Sequence, residues 1–105
     1  MKRCRTAGPL LCAALLLAAA HASASEELAR ARNCLGCHSV ERKLVGPAFK
    51  AVAVRYAADR EAPTRLASKV ILGGSGVWGN AVMPPNPKLS EAEARQLVGW
   101  ILGLK

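Results

Sequence analysis

The sequence predicts an all-α fold. Three observations carry that expectation: segments whose apolar residues recur at i, i+3, i+4 and i+7, helix-start signals ahead of them, and no alternating apolar–polar run of strand type. The chain has 105 residues, of which 51% are hydrophobic but only 4% aromatic, with four cysteines and a formal charge of +8. That length holds one small domain at most, and no internal repeat or low-complexity segment interrupts it.

The N-terminus reads as a targeting segment rather than as part of the fold. Met1-Lys2-Arg3-Cys4-Arg5 is a basic start, Leu10 to Ala20 is an apolar run, and Ala20-His21-Ala22 and Ala22-Ser23-Ala24 both fit the small-residue pattern of signal cleavage. Residues 1–24 are therefore expected to be a cleaved secretory signal, with Ala22 and Ala24 both open as the cut site. The alternative is an uncleaved anchor. The apolar run is too short to span a hydrocarbon core, which needs about 20 residues, so no stable membrane anchor is expected. Removing 24 of 105 residues leaves 81, residues 25–105, and Lys+Arg falls from 15 to 12 against 7 acids, a net charge of +5. Cys4, Cys12, His21 and Met1 leave with the signal. The remaining domain keeps two cysteines, Cys34 and Cys37, one histidine, His38, and one methionine, Met83.

Four helices are predicted in what remains. Ser25 reads as an N-cap, with Glu26 and Glu27 in the first turn and Leu28, Ala31 and Leu35 on one face. Gly46-Pro47 is a turn with proline at a first helical position, after which Phe49, Val52, Ala53 and Tyr56 form an apolar stripe. Asp59-Arg60-Glu61 is a charged turn. Pro63 then opens a segment with Leu66, Ala67, Val70 and Ile71 on one side, stopped by Gly73-Gly74. From Gly73 to Lys88 the chain carries four glycines, three prolines and two asparagines, which predicts a loop without regular structure. Trp78, Val82 and Met83 make that loop too apolar for a free linker. Ser90-x-x-Glu93 is a capping box, and Ala94, Leu97, Val98, Ile101 and Leu104 define the last helix.

A domain of about 80 residues buries only about 60% of its unfolded surface, so something beyond its own side chains has to staple it. Cys34-Leu35-Gly36-Cys37-His38 names the staple, because C-x-x-C-H is the attachment motif of c-type haem. Two thiols three residues apart lie on one side of a helical turn and can add to two vinyl groups along one porphyrin edge, and the next residue points an imidazole at the iron. A redox disulfide between Cys34 and Cys37 would be permitted by export but wants a βαβ context that is not visible. A zinc site would lack a fourth ligand. Met83, in Met83-Pro84-Pro85-Asn86-Pro87, reads either as a core gap-filler or as the sixth iron ligand. The prolines stiffen its segment, and thioether with imidazole is the ligand pair that suits electron transfer, so His38 and Met83 are the expected metal ligands.

With these motifs in view, the chain resembles the short single-haem bacterial class I cytochromes c of class ID. The resemblance spans nearly all of residues 25–105. It rests on Cys34-x-x-Cys37-His38, Val45-Gly46-Pro47-Ala48-Phe49, Gly76-Val77-Trp78-Gly79, Met83-Pro84-Pro85-Asn86 and the closing helix around Leu97 and Trp100. Asn80 and Val82 stand where relatives often carry proline. The resemblance implies a small cytochrome c fold of about four helices around one covalent haem c held through Cys34 and Cys37. It also implies that the Pro47 carbonyl accepts the His38 ring N–H, that Trp78 and Lys69 contact the haem propionates, and that Asn86 supports Met83. Ordinary roles stay open for these residues, as a helix start for Pro47, a surface charge for Lys69 and a turn for Asn86.

The expected function is that of an exported, periplasmic one-electron carrier, a monomer rather than an enzyme. Its net +5 would steer it toward redox proteins with acidic docking surfaces, a membrane oxidase or reductase among them. The basic residues are interspersed with apolar ones as on solvated helix faces, which does not read as a nucleic-acid footprint. A haem subunit of a larger periplasmic oxidoreductase is the alternative, and a small haem peroxidase, which needs an open iron position, is a more distant one.

Overall fold

A computed structural model describes residues 24–105. The segment read as a secretory signal lies outside the described residues, apart from Ala24. Residues 24–31 are helical (α1), and a single 3-10 turn follows at Cys34–Gly36. An irregular stretch leads to α2 (Phe49–Arg55) and then α3 (Ala62–Leu72). A small antiparallel hairpin, β1 (Gly74–Gly76) with β2 (Gly79–Met83), precedes α4 (Glu91–Leu102). The chain is thus mostly helical, as the periodicity predicts.

Helix α1 differs from its sequence reading at both ends. Helix is already present at Ala24, so Ser25 is not a cap; it is buried, and its hydroxyl accepts a hydrogen bond from Gln96 Nε2 of α4 at 3.4 Å. The buried stripe passes through Ser25, Leu28 and Ala29, whereas Ala31 is exposed. Asn33, at φ 60°, turns the chain out of the helix before the 3-10 turn, so Leu35 reaches the core from a separate element. Asparagine tolerates this left-handed conformation because its short amide bonds locally.

The later helices follow their patterns. Phe49 and Ala53 of α2 are buried, with Val52 and Tyr56 half-buried beside them. Ala48 is the N-cap of α2, so Pro47 stands one residue outside the helix rather than in its first turn. Asp59 accepts the Glu61 N–H at 2.9 Å and pairs with Arg65 at 2.6 Å, which fixes the turn into α3, where Pro63 sits in the first turn. Ser90 and Glu93 form both halves of the capping box at the start of α4.

The segment from Gly73 to Lys88 is the main departure from the sequence reading, since it contains the hairpin. Gly74 pairs with Met83 and Gly76 with Gly79, leaving Val77 and Trp78 as the two-residue connection. Gly73, Gly76 and Gly79 have φ of 76°, 91° and 96°, which only glycine adopts without strain, so the residues that argued against regular structure are those that fold the chain back on itself.

Helices α1, α3 and α4 meet in a core of Ala29, Ala67, Leu89, Ala94 and Leu97, with Leu28, Val70, Ile71 and Trp100 packed around it. Alanines dominate, and Leu97 is the single large side chain fully enclosed among the described residues. Small residues bring the helix backbones close, but they bury little apolar area. The larger apolar side chains of α2, α3 and α4 turn instead toward a cleft between these helices and the hairpin.

Candidate functional site

That cleft has a volume of about 350 Å³ and is open on one side. It falls within the range of small-molecule and cofactor sites. Its walls come from most parts of the fold: the 3-10 turn, the loop before α2, one face of α2 and of α3, the hairpin with the Met-Pro-Pro segment, and the inner face of α4. All eight residues that the sequence singles out, Cys34, Cys37, His38, Pro47, Lys69, Trp78, Met83 and Asn86, line it.

The two cysteines are placed by the 3-10 turn. Cys37 N–H and His38 N–H both donate to the Cys34 carbonyl, at 3.2 and 2.9 Å, so one tight turn sets the thiols and the imidazole relative to each other. Both thiols are free and half-buried, and no disulfide joins them. Burial pushes the Cys34 thiol up, which keeps it protonated. Among the described residues no group of three or more His, Cys, Asp or Glu gathers as a metal cage, so the zinc alternative finds no further ligand.

The His38 ring is boxed on three sides. Phe49 stacks on it at 5.0 Å with planes 23° apart, and the Phe49 ring in turn meets Trp100 edge-on at 5.7 Å. Gly46 closes another side so tightly that a Cβ there would lie 2.5 Å from the His38 Cε1. The third contact is polar: Nδ1 lies 2.7 Å from the Pro47 carbonyl oxygen. A carbonyl can only accept, so Nδ1 carries the proton and Nε2 keeps its lone pair, the tautomer a metal ligand requires.

Met83 ends β2 and is half-buried. Its backbone carbonyl lies 2.5 Å from where a Gly73 Cβ would stand, so the glycine that ends α3 also lets the Met-Pro-Pro segment pack against the helix end. Asn86 fastens that segment with three hydrogen bonds. Its N–H donates to the Ile71 carbonyl at 2.8 Å, its carbonyl accepts from Leu89 N–H at 3.1 Å, and its side-chain Nδ2 donates to the Arg32 carbonyl at 3.1 Å. The backbone bond to Ile71 ties the chain just after Met83 to the end of α3, and the side-chain bond ties it to the chain just before Cys34.

Lys69 lies in the last turn of α3, its stem laid over Gly74, where a Cβ would come within 2.7 Å of its Cε. Trp78, at the hairpin tip, is half-buried, and the Arg55 guanidinium sits 4.6 Å from its ring centroid. Three features of the site are not signalled by the sequence: the stacking of Phe49 on His38, the Arg55 contact, and a two-pronged pairing of Arg32 Nη2 with both Glu93 oxygens at 3.1 and 2.9 Å. Each joins residues from different elements, and only a fold can bring them together.

Two thiols, a tautomer-fixed imidazole and a thioether thus line one largely apolar cleft, and the thiols and imidazole form the C-x-x-C-H attachment motif of c-type haem. Comparisons with known proteins identify the family. The family model for cytochrome c matches residues 22–105. The chain is 50% identical over 93 residues to cytochrome c-552 of Nitrosomonas europaea, covering 89% of this chain and 90% of that protein. It is 51% identical over 77 residues to cytochrome c-551 of Allochromatium vinosum, covering 73% and 82%. Among solved structures, the crystal structure of wild-type Nitrosomonas europaea cytochrome c552 superposes with a TM-score of 0.74 at 51% identity, over 76% of this chain and 99% of that one. The class 1 cytochrome MtoD of Sideroxydans lithotrophicus follows at a TM-score of 0.67 and 32% identity, over 78% and 94%.

Proposed function

This chain belongs to the cytochrome c family and carries one haem attached through its C-x-x-C-H motif, and from that premise we propose that it is an exported, periplasmic one-electron carrier with His38 and Met83 as axial ligands. The observation that carries the ligand assignment is that the Nδ1–H of His38 is tied to the Pro47 carbonyl while Met83 lines the same cleft. Bound haem supplies one reversible electron, its iron passing between ferric and ferrous.

The protein's own residues do the rest. Pro47 fixes the imidazole tautomer and, by accepting its proton's hydrogen bond, holds the ring's orientation. Lys69 and Trp78 would offer an ammonium and an indole N–H to the propionates, and the apolar walls of α2 and α4 would keep water from the ring. His38 and Met83 would hold the iron, and iron so held would suit electron exchange rather than peroxide chemistry. Val45 and Val82 line the cleft yet are 58% and 69% exposed, so an apolar lip surrounds its mouth. Docking at that lip brings a partner close to the haem edge, and the +5 charge of residues 25–105 favours partners with acidic rims.

The test is a mass and a visible and near-infrared spectrum on protein expressed with a cytochrome maturation system. The expected mass is that of a chain cleaved after Ala22 or Ala24 plus one haem, and the ferric protein shows the weak near-infrared sulfur-to-iron band. Met83→Ala abolishes that band. A band that survives Met83→Ala rules out the ligand assignment, and a mass that retains residues 1–24 rules out the soluble exported form.

A further inference from the structure

Arg55 closes α2, and from there a single side chain reaches the hairpin twice. Its guanidinium lies 4.6 Å from the Trp78 ring centroid, and its Nη1–H donates to the Val77 carbonyl at 3.1 Å. Val77 and Trp78 are the whole connection between β1 and β2, and the glycines on either side of them have positive φ. Neither Gly76 nor Gly79 has any atom within 4 Å of its Cβ position, so nothing packs against the flanks of the tip. Among the described residues, Arg55 makes the one side-chain hydrogen bond that reaches this connection. Trp78 is at the same time part of the cleft wall.

We propose that Arg55 is the positioning residue for Trp78: by stacking on the indole and holding the Val77 carbonyl, it keeps the tryptophan seated in the wall of the haem cleft, and the reduction potential is set partly through that seating. The physical link is solvent access. An indole held in place covers that edge of the cleft, whereas a mobile one admits water, which favours the more highly charged oxidised iron and lowers the potential. Arginine suits the role because its planar fork can stack and donate at once, which a lysine ammonium cannot do.

The inference rests on the proposed haem-carrier function, and visible and near-infrared spectra taken on each variant report separately whether haem is attached and Met83 bound. The variants are Arg55→Met, Arg55→Lys, Trp78→Phe and the double variant Arg55→Met/Trp78→Phe, all as holoprotein. Exchange of the Trp78 indole N–H, followed by NMR in the reduced state, should quicken roughly tenfold in Arg55→Met, with Arg55→Lys in between, from the loss of one cation–π contact and one hydrogen bond. The midpoint potential should fall in Arg55→Met, and most of that fall should vanish in the Trp78→Phe background. Unchanged indole exchange overturns the proposal. So does an equal fall in both backgrounds, which would mean that Arg55 acts by its own charge alone.

Discussion

At the scale of single residues, the site is defined by what surrounds His38. Gly46 is required by space, since any side chain there enters the imidazole. Gly46→Ala is expected to displace the ring from the Pro47 carbonyl and cost about 2 kcal/mol as an overpacked site. Thermal melting of the holoprotein, with the yield of attached haem, measures it. A variant that melts with the parent shows that the ring has room to yield. Glu93 makes a second residue-scale prediction. The Ser90 backbone N–H, and then the Arg32 guanidinium, hold its carboxyl below its ordinary value of 4.5. A carboxyl depressed on folding stabilises the protein above its unfolded value, and that contribution is lost as pH falls through the folded one. Melting temperature should therefore drop as pH is lowered below about 4.5, and Glu93→Gln should remove part of the drop. Asp59, depressed chiefly by its hydrogen bond from Arg65, contributes with the same sign.

At the scale of elements, α4 is the member whose ends and faces follow most directly from its residues. Its capping box is present, so Ser90→Ala should cost about 1 kcal/mol in denaturant unfolding of the holoprotein. Much of the fold was equally legible. The stripes of α2 and α3 and the stop at Gly73 are local patterns, and so are C-x-x-C-H and Met-Pro-Pro, whose Cys34, Cys37, His38 and Met83 line the cleft. The hairpin was not legible, because β1 and β2 are short, mostly exposed strands with no alternating apolar face to betray them. Its folding depends on three glycines with positive φ, and composition reads such glycines as breakers. The buried face of α1 was misjudged because Asn33 ends that helix early, removing Leu35 from its stripe. Arg32 with Glu93, and Arg55 with Val77, are separated by 61 and 22 positions, distances at which no sequence period speaks.

At the scale of the whole molecule, the alanine-rich core leaves the haem to fill the centre. Without haem, the apolar side chains of α2, α3 and α4 that line the cleft of about 350 Å³ would face water. Total stabilities of small domains run to only about 5–15 kcal/mol. Protein carrying Cys34→Ala and Cys37→Ala and freed of haem is thus expected to lose most of its helical circular dichroism at room temperature. A haem-free chain with full helicity would show that the core suffices alone. Charge acts on the same scale, and electron transfer to an acidic partner should slow steadily as ionic strength rises, as stopped-flow mixing would record.

The enclosure of His38 by Phe49, Gly46 and the Pro47 carbonyl has a consequence for speed as well as for stability. When the charge beside it changes by one unit, a ring bounded in this way has no second position to relax into, and its dipoles are already set. With His38 on the iron, as proposed, its share of the reorganisation energy would be correspondingly small, and the distance of closest approach between two molecules would weigh more in electron self-exchange.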